Sequence, residues 1–274
     1  MRHDSIEHDT DPSGLRRRRS RRSIALIAGA AIAAAGLLVS SVAASSSPTP
    51  KHGDDIPNVT QVENQIKAYY GDTVVGTDHV PSPTGNYAQE VEGIEAQAQQ
   101  YLAHHSTQGQ GAPAVVFDVD DTTLNTYNYE IFSSFAFNPT TNADFVNTER
   151  FPAVFGMPDL VNWAGSHGYT VFFLTGRPEA QREHTAGNLV KVGYTVPTDA
   201  DHLYLKFPAG SPPAYLHCAA VTTCTTIEYK SGTRAHIESL GYHIIADFGD
   251  QFSDLEGGFT DQTFKLPNPM YFLP

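Results

Sequence analysis

The sequence is poor in basic residues. Of its 274 residues, 17 are Lys or Arg and 30 are Asp or Glu. The first 44 residues hold seven of the basic residues and four of the acidic ones, which leaves 10 basic against 26 acidic residues in the rest of the chain. A body with this charge repels the phosphate backbone of nucleic acids. We therefore expect no nucleic-acid partner.

Cysteine is also scarce, because the chain contains only Cys218 and Cys224, both within the segment HCAAVTTC. This single pair has no CxxC spacing and the twelve histidines show no ligand spacing, which argues against a zinc site. An even number of cysteines in an exported protein favours a disulfide that closes a small loop. Two free, buried thiols are the alternative.

The chain has no apolar run of comfortable membrane-spanning length near its N-terminus. The run Ile24–Val39 has 16 residues, fewer than the roughly 20 that a spanning helix needs. It follows the basic stretch RRRRSRR and precedes the small residues Val42–Ala44, which is the arrangement of a signal peptide cut near Ser45. The stretch SRRSIAL is a partial match to a twin-arginine signal. We expect a secreted or extracytoplasmic protein with no stable membrane partner beyond this signal, the alternative being an uncleaved membrane anchor.

Beyond the signal (residues 1–44) and a polar linker (45–56), residues 57–274 are predicted to form a single domain. Helical periodicity indicates an N-terminal helical extension within residues 57–111. From Ala112 onward, short apolar runs alternate with helical stretches, which predicts a Rossmann-like α/β fold with a parallel sheet flanked by helices and a small insert at 125–155. Predicted strands are Ala114–Asp118, Tyr169–Leu174, His202–Phe207 and Tyr242–Phe248; predicted helices are Asn58–Tyr70, Tyr87–His105, Met157–Ser166, Pro178–Val192 and Thr233–Leu240.

Chemically reactive side chains fall at the carboxyl ends of these strands. Parallel sheets bind ligands at that edge, so the topology predicts one site there. Asp118 and Asp120 end the first strand within VVFDVDDTTLN, and Lys230 lies in the connection that leads to the last helix. The other residues of the edge are Thr175-Gly176-Arg177 at the end of the second strand, and Asp247 and Asp250 at the end of the last.

These residue types suit phosphoryl transfer. Asp118, Asp120 and Asp250 offer the hard oxygen ligands that Mg²⁺ prefers. A carboxylate can attack a phosphoryl group, and a second carboxylate two residues on can move the proton. The Thr175 hydroxyl, nearby N–H groups including the helix N-terminus predicted at Pro178, and Lys230 can hold phosphate oxygens.

Four segments resemble the motifs of the haloacid dehalogenase (HAD) superfamily of phosphohydrolases, in order and spacing. FDVDDT matches the DxDxT motif, LTGR the second motif, Lys230 the third, and GDQFSD, residues 249–254, the fourth motif GDxxxD. Together with the terminal FKLPNPMYFLP, these segments resemble the class B acid phosphatase group, which includes plant acid phosphatases and vegetative storage proteins.

The resemblance implies a role for each matched residue. Asp118 is expected to be the nucleophile and a metal ligand, and Asp120 the general acid/base, which also lends its backbone carbonyl to the metal. The expected phosphate-binding residues are Thr175, Gly176 and Lys230. Asp250 is expected to bind Mg²⁺ directly with Asp254 behind it, although Asp247 competes for the metal role.

For other residues near the motifs, the sequence predicts a structural role or leaves two interpretations open. Asp121 is expected to serve structure, and Arg177 either binds substrate or forms a salt bridge with the helix that follows. The aromatic residues Tyr127, Tyr129 and Phe132 either line the entrance or pack the insert.

The function that we expect is that of a secreted, Mg²⁺-dependent acid phosphatase acting on small-molecule phosphomonoesters. The alternatives are a non-catalytic storage or binding protein on the same scaffold and a phosphotransferase.

Overall fold

A computed structural model describes residues 49–105, 111–208, 210–220 and 224–274. The predicted signal peptide lies outside these residues. Within them, no helix is long and apolar enough to cross a membrane.

The N-terminal extension consists of two helices and a small hairpin. Helix α1 spans Val59–Tyr70 and α2 spans Asn86–His104, and between them strands β1 (Thr73–Val75) and β2 (Asp78–Val80) form an antiparallel pair. The hairpin was not predicted, because its strands have three residues each and are largely exposed. Stacking anchors the extension, since the Tyr70 ring lies 4.3 Å from that of Tyr87 and 4.4 Å from that of Tyr127 in the insert.

A five-stranded sheet, parallel throughout, forms the centre of the fold, as the sequence predicts. Its order is β5-β4-β3-β6-β7. The five strands are β3 (Ala112–Phe117), β4 (Thr170–Pro178), β5 (Leu203–Lys206), β6 (Tyr242–Gly249) and β7 (Gln262–Lys265). The edge strand β7 was not predicted, because QTFK buries only one side chain and lacks the apolar run that marks the other strands.

Helices cover both faces of this sheet. Val115 and Phe117 of β3 point into an apolar cluster with residues of α2, α5 (Met157–Ser166) and α6 (Arg182–Lys191). Ala114 and Val116 point into a second cluster with residues of α7 (Thr226–Ser239). The alternation follows from the two-residue period of a strand and explains why β3 is apolar on both faces. The helices after β3 are α3 (Tyr127–Phe132), α4 (Pro139–Asn147), α5 (Met157–Ser166), α6 (Arg182–Lys191), α7 (Thr226–Ser239) and α8 (Phe252–Leu255).

Two predicted helix starts are wrong. Helix α7 begins seven residues earlier than predicted because Thr225 and Glu228 form a capping box, and Lys230 therefore lies inside the helix rather than in a connection. Pro178 does not begin a helix. It is the last residue of β4 with extended backbone (φ −67°, ψ 149°), and a 3-10 helix, Glu179–Gln181, precedes α6. The fixed φ of proline suits an extended segment as well as a helix start.

The predicted disulfide is present between Cys218 and Cys224, whose Cα atoms lie 5.2 Å apart. It closes a loop just before α7, the helix that carries Lys230. The sequence separation is six residues, so the link removes a modest amount of chain entropy from the unfolded state.

We predict that replacing both cysteines with alanine lowers the free energy of unfolding by about 2 kcal/mol. This is the stabilisation expected when a disulfide closes so short a loop and thereby lowers the entropy of the unfolded chain. Urea denaturation of the variant and the parent protein, without reductant, measures the difference. Equal stabilities, or alkylation of both thiols in the unreduced parent protein, would contradict this prediction.

Candidate active site

The carboxyl edge of the sheet opens into a cavity of about 510 Å³. Strand β3 lies at the centre of the sheet and delivers Asp118 to this edge, where the Asp118 N–H still donates to the Phe248 carbonyl of β6 (2.9 Å). Most of the residues predicted for the site line the cavity: Asp118, Asp120, Gly176, Arg177, Lys230, Asp250 and Asp254. The topology therefore brings together segments more than 100 positions apart.

Lys230 is the cation at the base of the cavity. Its ammonium group, on α7, forms ion pairs with the carboxylates of Asp118 and Asp254, the latter at 2.6 Å, and all three side chains are buried. Burial opposes the charged ammonium, but the adjacent carboxylates outweigh that effect and raise the pKa of Lys230. The lysine therefore stays protonated in the folded protein.

Three carboxylates converge at this point. Asp118, Asp250 and Asp254 each place an oxygen within 4.8 Å of the others. Burial, reinforced by Asp254 and Asp121, raises the pKa of Asp250 to about 8. One ammonium cannot balance three buried carboxylates, so the cluster has the charge and the hard oxygen donors of a divalent-cation site.

The hydrogen bonds of the cluster distinguish its members. Asp254 uses both oxygens, one on Lys230 and one accepting the Gln251 N–H (2.9 Å). Asp250 accepts two bonds on Oδ2, from the side-chain amides of Gln251 and Asn268 (2.6 Å each). Among the described residues, no donor reaches Asp250 Oδ1 or Asp118 Oδ2. These two oxygens are the ones available to a cation or a substrate.

Local geometry explains the GDxxxD pattern. A Cβ atom on Gly249 would lie 2.4 Å from the Asp254 side chain, so only glycine allows this close approach. Asp254 also forms a capping box with Gln251 at the start of α8. Glycine and the second aspartate of the motif are therefore needed to build the turn that presents Asp250.

Arg234 stabilises this turn through hydrogen bonds to its backbone. The sequence motifs do not predict this role. Fully buried on α7, Arg234 donates to the backbone carbonyls of Asp254, Glu256 (2.5 Å) and Gly258 (2.9 Å) and pairs with Asp247 (2.8 Å). Asp247 therefore neutralises an arginine and lies outside the three-carboxylate cluster. Arg234 follows Lys230 by four residues, which is the spacing of one helix face.

Asp120 faces a different cation from Asp118. The Arg177 guanidinium holds it through two nitrogens, with Nη2 2.6 Å from Oδ1 and Nε 3.0 Å from Oδ2. A third nitrogen, Nη1, donates to Thr185 of α6 (3.1 Å), and the guanidinium lies over the Phe151 ring. Of the two interpretations of Arg177, the salt bridge to the following helix is wrong, because β4 lies beside β3 and Arg177 pairs with Asp120 instead, while the helix receives only the hydrogen bond to Thr185. Arg177 also lines the cavity, so substrate binding stays a prediction.

Asp121 faces away from the cavity and fixes the start of the insert. Its buried carboxylate accepts bonds from the Thr126 N–H (2.9 Å), the Thr126 hydroxyl (2.5 Å) and the Tyr271 hydroxyl (2.9 Å). Its backbone adopts a left-handed conformation (φ 53°), which aspartate tolerates better than most residues. The third carboxylate of the DVDD segment therefore joins β3, the insert and the C-terminal segment.

Of the two predicted phosphate-binding residues on β4, Gly176 lines the cavity and Thr175 does not. Thr175 is fully buried, and its hydroxyl accepts the Arg177 N–H (3.1 Å). Gly176 lines the cavity, and a Cβ atom there would meet no protein atom within 4 Å. Packing does not require this glycine, whereas the absence of a side chain leaves room beside Asp118 and Lys230.

The outer walls come from segments that the motifs do not cover. The insert contributes Glu130, Phe135 and Phe137, and the segment after β7 contributes Tyr271 and Phe272. Of the predicted entrance aromatics, Tyr127 and Tyr129 are fully buried and serve packing, and Phe132 is exposed without lining the cavity. Their place is taken by Phe135 and Phe137, which follow shortly after α3.

The fold and the arrangement of the four motifs are those of the haloacid dehalogenase class. More narrowly, the chain belongs to the HAD superfamily, subfamily IIIB (acid phosphatase), because that family's model matches residues 32–274. This finding confirms the resemblance seen in the sequence.

Individual relatives agree. The chain is 31% identical to Acid phosphatase 1 of Solanum lycopersicum over 68% of its own length and 69% of the tomato protein. It is 32% identical to the Stem 28 kDa glycoprotein of Glycine max, covering 58% of this chain and 59% of the soybean protein, so the shared region is well short of that relative's full length. The class C acid phosphatase structure from Bacillus anthracis superposes with a TM-score of 0.58 at 20% identity, covering 77% of this chain and 86% of that chain, which shows a shared fold.

Glu130 on α3 provides a pH-dependent test of this geometry. Burial, with a smaller effect of Asp120, raises the pKa of Glu130 from 4.5 to about 7. Between these two pH values the unfolded chain releases the proton while the folded protein retains it, so the free energy of unfolding falls as the pH rises.

We predict that Glu130→Gln removes this fall in the free energy of unfolding with rising pH. As the pH rises from roughly 4.5 to roughly 7.5, the free energy of unfolding of the variant should increase by about 2 kcal/mol relative to that of the parent protein. Water in the cavity keeps this value below the one that the full pKa difference gives. Urea denaturation of both proteins at the two pH values measures the gain. Parallel pH dependences would contradict the burial of an ionisable Glu130.

Proposed function

We propose that the protein is an exported, Mg²⁺-dependent acid phosphatase that hydrolyses small-molecule phosphomonoesters through an aspartyl-phosphate intermediate. The single observation that carries the proposal is the pairing of Asp118 with Lys230 at the cavity base, with one Asp118 oxygen left without a donor among the described residues. A lysine that engages one oxygen of a carboxylate orients the other toward an incoming phosphorus atom.

In the first step, the free oxygen of Asp118 attacks phosphorus and the bond from phosphorus to the ester oxygen breaks. Asp120, two residues further along the same strand exit, donates a proton to the departing oxygen, so that an alcohol leaves. Arg177 fixes the position of Asp120 through its two-point contact. The product on the enzyme is phosphorylated Asp118.

In the second step, Asp120 accepts a proton from a water molecule as the water oxygen attacks phosphorus. The acyl phosphate bond breaks, inorganic phosphate leaves and the Asp118 carboxylate is restored. Asp120 regains its proton in this step and is ready for the next cycle.

Three groups are assigned to hold the phosphoryl oxygens. Lys230 supplies the positive charge. Gly176 supplies a backbone N–H group and, because it has no side chain, leaves space for the phosphoryl group. The third group, the Thr175 hydroxyl, is assigned from the resemblance alone, because Thr175 is buried behind the cavity wall and accepts the Arg177 N–H.

The donor set fits a magnesium ion. Asp118 and Asp250 each retain a free carboxylate oxygen, and we add the Asp120 carbonyl to the proposed ligands, with Asp254 behind them on Lys230. When bound, Mg²⁺ would neutralise the excess negative charge and polarise the phosphoryl group. Hard oxygen donors without sulfur or imidazole favour Mg²⁺ over zinc or copper.

The proposed compartment has support from the chain itself. The predicted signal at residues 1–44 and linker at 45–56 precede a proposed catalytic domain at 57–274. Outside the signal, the Cys218–Cys224 disulfide fits an oxidising environment.

We predict that Asp118→Asn lowers kcat/KM for p-nitrophenyl phosphate at least about a thousandfold, because the amide is a poor nucleophile. Asp144→Asn is a matched control, since Asp144 is an exposed carboxylate of the insert outside the cavity. Full activity of Asp118→Asn would contradict the proposed nucleophile. If the parent protein with Mg²⁺ showed no hydrolysis from acidic to neutral pH, the storage or binding alternative would be favoured. Phosphate transfer to an added alcohol would identify a phosphotransferase.

We predict separately that EDTA abolishes hydrolysis and that Mg²⁺ restores it. Mg²⁺ should also raise the melting temperature of the EDTA-treated protein, because a bound cation relieves repulsion among the buried carboxylates. Asp250→Asn should reduce that thermal shift, whereas Asp144→Asn should leave it unchanged. Undiminished activity in EDTA would refute the metal dependence.

A further inference from the structure

The active-site cavity extends well beyond the phosphoryl site. From Asp118 and Lys230 it continues between the insert, which supplies Glu130, and the 3-10 helix Glu179–Gln181, which follows β4. Helix α4 of the insert packs against this 3-10 helix. The volume of about 510 Å³ is that of a site for a small organic molecule, not for a phosphate ion alone.

Glu130 lies in this outer part without a partner. The residue is only 6% exposed and lines the cavity, yet no hydrogen bond or ion pair from any described residue reaches its carboxylate. Arg177, a cation that also lines the cavity, is occupied by Asp120 and Thr185. A buried carboxylate without a donor is costly, so its position favours a ligand that supplies one.

Gln181, on the 3-10 helix that follows β4, repeats the same pattern. It is 7% exposed and lines the cavity, and its side-chain oxygen is buried without a hydrogen-bond partner. Glu130 and Gln181 come from different elements, and both present an acceptor that lacks a donor. Two acceptors without donors in one cavity indicate that the missing ligand group carries hydrogen-bond donors.

We propose that Glu130 and Gln181 form a leaving-group subsite that binds phosphomonoesters carrying hydrogen-bond donors near the ester oxygen. The chemistry that fits is a vicinal hydroxyl, as in a polyol phosphate, or an ammonium group, as in an amino-alcohol phosphate. This inference rests on the proposed phosphatase function and names its substrate class.

The other walls are consistent with this choice. Phe135 and Phe137 present carbon surface that can contact the skeleton of a short polyol or amino alcohol. A carboxylate on the leaving group would meet Glu130 and Asp120, which repel it. A purely apolar leaving group would displace water and leave both acceptors unsatisfied.

Three short esters test the proposal directly. Glycerol 1-phosphate carries hydroxyl donors, O-phosphoethanolamine carries an ammonium group, and n-propyl phosphate has a similar length without either donor. With the parent protein and Mg²⁺, we expect kcat/KM for at least one donor ester to exceed that of n-propyl phosphate by about tenfold or more, because a donor satisfies buried acceptors that n-propyl phosphate leaves without a hydrogen bond. The donor ester that reacts faster identifies hydroxyl or ammonium as the preferred donor.

The variants assign the preference to the subsite. Glu130→Gln should remove most of the tenfold preference, measured as the ratio of kcat/KM for the donor ester to kcat/KM for n-propyl phosphate. Gln181→Met, which keeps the length but removes the oxygen, should weaken the preference in the same direction. Asp144→Asn, the same charge change on the insert outside the cavity, should preserve it. Thermal unfolding confirms that each variant folds.

Equal kcat/KM values for the three esters in the parent protein would overturn the inference while leaving the phosphatase proposal intact. An equal loss for all three esters in Glu130→Gln would overturn it as well, because Glu130 would then act on the reaction rather than on the leaving group.

Failure of the phosphatase proposal would look different, as no ester would be hydrolysed. Calorimetric binding of the same esters to Asp118→Asn then tests the subsite without turnover. Tighter binding of a donor ester, by about tenfold over n-propyl phosphate, supports the subsite, and equal affinities refute it.

Discussion

The structure depends on one buried cation, the ammonium group of Lys230, held between the carboxylates of Asp118 and Asp254. This contact joins three elements that are distant in sequence: the exit of β3, helix α7 and the turn that begins α8. Charges removed from water need such partners, and truncating one partner leaves an uncompensated charge. The same contact also fixes the orientation of the carboxylate to which we assign nucleophilic attack, so stability and chemistry share one interaction.

A second cation, Arg177, gives Asp120 a different partner from that of Asp118. Asp118 faces Lys230, whereas Asp120 is turned toward Arg177 on the neighbouring strand. Next to Asp120, the backbone turns through a left-handed residue, Asp121, whose carboxylate secures Thr126 and Tyr271. Each of the three carboxylates in four positions thus meets its own donors, which offset their mutual repulsion.

The sequence predicts the parallel sheet and the edge at which the motifs meet, because strand periodicity and motif order depend on local residues. It places Lys230 at the site but in a connection, whereas the capping box of Thr225 and Glu228 starts α7 before Lys230. Arg234, Glu130, Gln181 and Tyr271 escape prediction for a different reason. Their partners or their cavity are set by contacts between elements distant in the chain, and no local pattern specifies those contacts. The roles of the predicted site residues remain predictions, whereas the family is confirmed.

The central claim is that Asp118 becomes phosphorylated during turnover. The most direct measurement is acid quenching of the enzyme during hydrolysis of radiolabelled p-nitrophenyl phosphate, followed by peptide mapping. We predict an acid-stable, hydroxylamine-sensitive phosphoryl group on the peptide that contains Asp118, absent from Asp118→Asn. Steady product formation with no labelled enzyme under conditions that trap acyl phosphates, or with the label on another residue, would contradict it.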